Sequence, residues 1–291
     1  MDDNSDSEIY LIRYYLVAFL DILGQRQNLR KINILPRDER EFQKVREPLG
    51  TVLRFREQFA KFFEGFERKK PIPQGLSSDQ AIAYDDLKRR AEKVNPKIQS
   101  FSDSIIIYVP VSDDNKIVHL DGIPPTLLAI AGCFLSLMAT GSLFRGGIDI
   151  GIGVEIDNGD FYGPALVNAY DLESKIAKYP RIVMGKNFVE FIYFNIQKPE
   201  TDIHSEVNRQ LARFCLDLLL IDGDGKFILD YLGEKYRDIA KGILPFDLPS
   251  RAKSFFESQM EKVKEQQDSK LYIYYNALAV YFEEKLDLWQ T

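Results

Sequence analysis

The chain has 291 residues, 45% of them hydrophobic, 12% aromatic and 28% charged, with a net charge of −6. That length and composition predict a folded protein of one large domain or a domain with an extension, and exclude general disorder. The negative balance excludes a broad nucleic-acid-binding surface but not a small anionic substrate, because a bound metal can supply local positive charge. Cys133 and Cys215 are far apart in apolar surroundings with no CxxC spacing, which excludes a disulfide framework or zinc ribbon. Acidic residues come first instead of a charged-then-apolar leader, so a cytoplasmic protein is expected.

The first element is Tyr14–Leu20 (YYLVAFL), a continuous apolar run expected of a central strand covered on both faces and ending at Asp21. Between Arg40 and Glu67, apolar residues from Phe42 to Phe66 recur at spacings of three and four, predicting an amphipathic helix interrupted or preceded near Pro48. Its phenylalanine-rich half, Phe55–Phe66, has a mixed-charge polar face, so it reads as core or dimer packing instead of a membrane anchor. KKPIPQGL, from Lys69 to Leu76, is punctuation, and Ser77–Val94 is expected to be a surface helix.

The stretch from Lys97 to His119 reads as a β-hairpin turning at Ser112-Asp113-Asp114-Asn115, with Asp103 inside its first strand. The uncharged run Leu127–Phe144 approaches membrane-spanning length, but its small and polar residues and the Pro124-Pro125 start predict a buried helix over Thr126–Ser142. FRGGIDIGIGVEI, Phe144–Ile156, alternates glycine with β-branched residues, as in a strand closely approached by another backbone or a ligand. A turn at 157–160, a helix over Pro164–Lys178 and a short strand Arg181–Met184 follow. Further on come a helix His204–Leu220, a hairpin around Asp222-Gly223-Asp224-Gly225 and mostly helical sequence from Arg251 to Leu288. That acidic turn lacks the ligand an EF-hand needs at Leu220, and His119 and His204 have no zinc spacing, so structural roles are expected for all of these. No Walker A loop or serine nucleophile elbow is present. Strands mixed with long helices in non-alternating order predict an α+β fold.

Asp21 at a strand end and Asp103 between Ser102 and Ser104 in apolar Phe101–Ile107 are costly placements for charge unless paired or coordinated. Converging from adjacent strands, they would make a hard-oxygen site for Mg²⁺ or Mn²⁺; separately, each would merely cap a strand or turn.

Four segments add a resemblance. FLDILG (Phe19–Gly24), FSDSIII (Phe101–Ile107), RGGIDIGIG (Arg145–Gly153) and DFYGPALVNAYDLES (Asp160–Ser174) resemble, in order, the signatures of class III nucleotide cyclases. With YPRIV (Tyr179–Val183) they look most like the bacterial Pycsar pyrimidine cyclases of anti-phage defence. The resemblance implies a cyclase domain over about 8–195 with a ferredoxin-like palm sheet, an inserted helical region at about 36–95, and a helical and hairpin extension over 200–291. It implies a homodimer with shared active sites, two Mn²⁺ or Mg²⁺ ions per site held by Asp21, Asp103 and the carbonyl of Ile22, and backbone N–H groups from Leu23 to Gln25 on a triphosphate. Phe19, Gly24, Gln99, Asp160 and Arg145 would contact substrate, and the cyclic product would act on a separate effector.

The sequence departs from the purine-cyclase pattern at three places. An ungapped match on Glu173 puts Val167 and Asp171 where a transition-state asparagine and arginine usually stand, and a one-residue slide brings in Asn168 but leaves Leu172 for the arginine. Arg145 is one replacement cation, and equally reads as a surface or dimer-interface arginine. Gln99 stands where adenylyl cyclases carry lysine and guanylyl cyclases glutamate; its amide can pair with the N3–H and O4 edge of uracil, or in the opposite orientation with cytosine. UTP is the expected substrate and CTP the alternative. A catalytically inactive nucleotide-binding homologue is a second alternative, and an interaction protein a third.

Overall fold

The computed structural model describes residues 12–24, 35–69, 82, 95–113, 116–156, 160–199, 202–265 and 269–289. The expected surface helix 77–94 lies almost wholly outside them. The elements form an α+β fold with one mixed sheet. In chain order, β1 (Ile12–Ile22), α1 (Glu39–Glu67), β2 (Lys97–Phe101), β3 (Ser104–Pro110), α2 (Ile123–Ala139) and β4 (Phe144–Ile156) make a β-α-β-β-α-β unit. Its strands lie in the order β2-β3-β1-β4, with each neighbouring pair antiparallel. β5 (Asp160–Tyr162) pairs with β4, and β6 (Ile182–Met184) joins β4 in parallel. β8 (Phe227–Leu229) and β7 (Leu219–Ile221) then continue the sheet, so the C-terminal extension shares it.

The two sheet faces differ in chemistry because side chains alternate along a strand. Leu16, Ala18, Leu20 and Ile22 of β1 and Ile105 and Ile107 of β3 enter the main core beneath α1 and α2. α1 supplies Phe55, Phe59, Phe62 and Phe66 to that core, each worth about 2 kcal/mol on burial. The helix starts at Asp38, whose carboxylate accepts from the Glu41 amide at 2.8 Å, and runs unbroken through position 48, where an interruption was expected. α2 is buried almost all round, which accounts for its uncharged sequence. No helix among the described residues is long and apolar enough to cross a membrane.

The opposite face carries Tyr15, Val17, Phe19 and Asp21, and only part of it is covered, by α3 (Pro164–Asp171). Glycine at β4 makes that cover fit. A Cβ at Gly147 would lie 2.4 Å from the Ala169 carbonyl, and one at Gly153 would lie 2.2 Å from the Phe161 ring. The close approach expected of this strand is therefore made by the α3 and β5 segments. α3 ends in a five-residue π-turn, Leu172–Ile176, in place of the regular helix expected to Lys178.

The remaining elements pack around this frame: α4 (Lys186–Gln197), α5 (Ile203–Leu216), α6 (Glu234–Ala240), α7 (Leu248–Glu265) and α8 (Ser269–Lys285), closed by a 3₁₀ turn at Leu286–Trp289. The rings of Phe256 of α7 and Phe282 of α8 meet tilted at 59°, 4.9 Å between centres, inside the main core.

Candidate active site

Asp21 reaches its place because β1 runs straight across the sheet, opposite Ser104 of β3 and Arg145 of β4. Asp103 arrives differently from the sequence expectation. The β2–β3 hairpin turns at Ser102-Asp103 and not at residues 112–115, with Phe101 and Ser104 as its closing pair. Ser102 takes φ +57°, which closes the two-residue turn without the glycine or asparagine that usually marks one. The later stretch makes only a small second turn, bridged between Ser112 and Val118. Asp103 thus sits in the turn, nine-tenths buried, and its carbonyl accepts from the Ile22 amide at 3.1 Å.

A third acid joins the two. Glu173 lies in the π-turn, 3% exposed, and its carboxylate accepts from Nε of Arg145 at 2.5 Å. Asp21, Asp103 and Glu173 interact electrostatically, and burial, then Glu173, then Asp103 push the Asp21 carboxyl up to about 6. Arg145 and a 3.4 Å hydrogen bond from Ser104 pull the other way without cancelling that rise. The local balance is three acids against one arginine, an arrangement that favours an added cation. Among the described residues no group of three or more His, Cys, Asp or Glu side chains is assembled to hold a metal by itself. The carboxylates of Asp21 and Asp103 are oxygen donors of the type that a hard divalent ion prefers.

One strand over, a groove of about 700 Å³ runs along β2, which ends the sheet among the described residues. Gln99 and Asp160 both line it, together with Arg56, Phe101, Ile106 and Tyr108. These two residues are far apart in sequence, and the pairing of β5 with β4 and the β2–β3 hairpin bring them together. Gln99 and Phe101 share a strand as expected; Asp103 lies past that strand's end. Phe19 is on the same sheet face, its ring 5.2 Å from that of Tyr170 in an edge contact. Gly24, with φ +83°, closes the turn after β1 and borders a separate 250 Å³ cavity toward Phe255 and Tyr275. Gln25 lies outside the described residues.

The positions at which the sequence departs from the resembled pattern are also explicit. Val167 is 58% exposed, and Asp171 is paired with Lys175 at 2.8 Å. Asn168 is hydrogen-bonded to Asp149, which also accepts from the Phe188 amide and from Asn187 at the start of α4. Burial pushes the Asp149 carboxyl upward, and these donors hold it down in part. Glu173 was missed as a site residue in the sequence. It serves there only to anchor a motif match; its segment also carries Asn168, Asp171, Ser174 and Lys175, so composition does not single it out.

A scan of family models and searches of curated proteins and solved structures find no match for this chain.

Proposed function

We propose that this chain is a metal-dependent pyrimidine nucleotide cyclase that converts UTP to 3′,5′-cyclic UMP and pyrophosphate. The observation that carries the reading is the shared open face: the Asp21, Asp103 and Glu173 acids lie one strand from a groove lined by Gln99 and Asp160. The β-α-β-β-α-β order with strands β2-β3-β1-β4 agrees with the palm sheet that the class III cyclase resemblance implies.

Asp21 and Asp103, with the Ile22 backbone, would hold Mn²⁺ or Mg²⁺. When bound, such ions neutralise charge on the triphosphate and on the leaving pyrophosphate. Gln99 and Asp160 orient the base, which fixes the ribose 3′-oxygen relative to the α-phosphate. That oxygen forms the new P–O bond as the bond to the β-phosphate breaks. Glu173 holds Arg145 in place beside Asp21, where its guanidinium offsets part of the site's negative charge. The exposed Phe101 and Tyr162 near the groove suit a homodimer closing over this face. In this reading the product acts as a second messenger on a separate effector in anti-phage defence.

A second reading, nucleotide binding without turnover, draws on Val167 and on the lysine-paired Asp171 at the usual transition-state positions. Incubation with each of ATP, GTP, CTP and UTP and Mn²⁺ separates the readings. Cyclic UMP supports the proposal, cyclic CMP moves the substrate to CTP, and binding with no cyclic product supports the second reading.

A further inference from the structure

Arg181 contacts the two segments that carry Arg145 and Glu173, through different atoms. Its backbone carbonyl accepts from the Gly146 amide at 3.0 Å, next to Arg145 on β4. Its guanidinium donates to the Ile176 carbonyl at 3.0 Å, at the end of the π-turn that presents Glu173. The side chain is 3% exposed; it also donates to the Tyr179 hydroxyl at 3.4 Å, and its other hydrogen bonds run to the β7–β8 turn of the C-terminal extension. There Asp224 accepts two bonds, at 2.7 and 3.0 Å, and Asp222 accepts another. Tyr179 completes the arrangement: its hydroxyl donates to Asp222, and its ring lies 4.5 Å from the guanidinium centre.

The energetics favour a rigid assembly. A buried guanidinium is tolerated only when paired, and here two carboxylates and one carbonyl meet its two terminal nitrogens, while Nε is buried without a hydrogen-bond partner. The arginine in turn holds the Asp224 carboxyl below its ordinary value. The π-turn itself has little slack, because it presses on β4 with the Glu173 amide 2.9 Å from where a Gly147 Cβ would stand. A π-turn is closed by i to i+5 bonds, here from the Ala177 amide to the Leu172 carbonyl at 2.8 Å, and is a rare form found frequently at functional sites.

We propose that Arg181, clamped by Asp222 and Asp224, is a positioning residue that sets the π-turn and so the placement of Glu173 and Arg145 at the carboxylate site. This gives the 200–291 extension a role in the site without lending it a group that touches substrate. The inference rests on the cyclase reading for its catalytic consequence, but not for its structural one.

The test compares full-length wild type, Arg181→Met, Arg181→Lys, Asp222→Asn with Asp224→Asn, and Tyr281→Phe as a control. The Tyr281 hydroxyl bonds Asp230 at 2.6 Å and accepts from the Leu232 amide. It lines the same cavity as Arg181 and Asp222, but these bonds lie outside the clamp, so its removal loosens the extension and leaves the clamp's own hydrogen bonds in place. Amide hydrogen exchange of residues 172–177 is predicted to quicken in Arg181→Met and in the double variant, and to stay at the wild-type rate in Tyr281→Phe. With the triphosphate that wild type cyclises, kcat is predicted to fall about 100-fold in Arg181→Met with KM nearly unchanged, as expected for a displaced constellation. Arg181→Lys recovers part of that loss.

Unchanged exchange at 172–177 in Arg181→Met overturns the clamp. Equal losses of kcat in Arg181→Met and Tyr281→Phe overturn the positioning role in favour of general loosening. A wild type that turns over none of the four triphosphates overturns the cyclase reading and the catalytic half of this inference, while the exchange result still decides the clamp.

Discussion

Asp21 stands opposite Arg145 in the register of β1 and β4, and the ion pair of that arginine runs to Glu173 at 2.5 Å. The arginine therefore sits between two acids that converge from different elements, one at a strand end and one in a π-turn. The two members of the ion pair are not equivalent. The Glu173 side chain is 4% exposed, whereas that of Arg145 is 27% exposed and can reach water.

This asymmetry predicts unequal costs for breaking the pair. Arg145→Met strands a buried carboxylate and is expected to destabilise the fold by about 3 kcal/mol. Glu173→Gln leaves an arginine with access to solvent, and about 1 kcal/mol is expected. Urea unfolding of both variants checks the order; equal losses would contradict it.

The glycines of β4 give a second prediction. Gly147→Ala would drive a methyl group into the Ala169 carbonyl and the Leu172 side chain, both 2.4 Å away, so the α3 end must shift. A loss of about 2 kcal/mol or more is expected, as for other overpacked sites. Gly223→Ala meets nothing within 4 Å and should stay within about 0.5 kcal/mol of wild type. Chemical denaturation of the pair checks both values.

The sequence made β1 and β4 legible for opposite reasons. YYLVAFL is apolar throughout because one face meets α1 and α2 while the other is partly covered by α3. FRGGIDIGIGVEI alternates because Gly147 and Gly151 face the backbone of α3 and Gly153 faces the ring of Phe161. The hairpin around Asp222–Gly225 was equally readable, since turn residues flank two short apolar runs. The turn at Ser102-Asp103 was not, because a serine supplies the positive φ that glycine normally signals. Glu173 was hidden for a different reason: the π-turn that aims it inward depends on β4 and on Arg181, which local sequence does not reveal.

Acid should loosen the contact between α5 and the segment before α2. His204 Nε2 lies 3.3 Å from Nδ1 of His119, and burial, followed by the charge of His119, holds the His204 pKa below its ordinary value. A group with a lowered folded pKa binds its proton more readily once unfolded. Its stabilisation is therefore complete above the unfolded value of about 6.5 and is lost as pH falls below it. The Tm measured from pH 8 to pH 5 should drop over the acid half of that range. His204→Gln should flatten the drop; an identical pH profile in the variant would contradict this.

The groove predicts a binding effect separable from chemistry. Asp160→Asn and Gln99→Ala each remove a group facing the proposed base position, and KM for the pyrimidine triphosphate is expected to rise about tenfold. Because these contacts are present before and during bond formation, kcat should change much less. Steady-state kinetics with UTP and CTP gives both quantities, and a loss confined to kcat would remove these residues from base recognition.

The central claim is that Asp21 and Asp103 form a metal site serving pyrimidine triphosphate cyclisation. Its most direct test is the cyclic product formed from each of the four triphosphates with Mn²⁺, by wild type and by Asp103→Asn. The account predicts cyclic UMP from wild type and a loss of at least about 100-fold in the variant. No cyclic product from any triphosphate, or an Asp103→Asn variant as active as wild type, would contradict it.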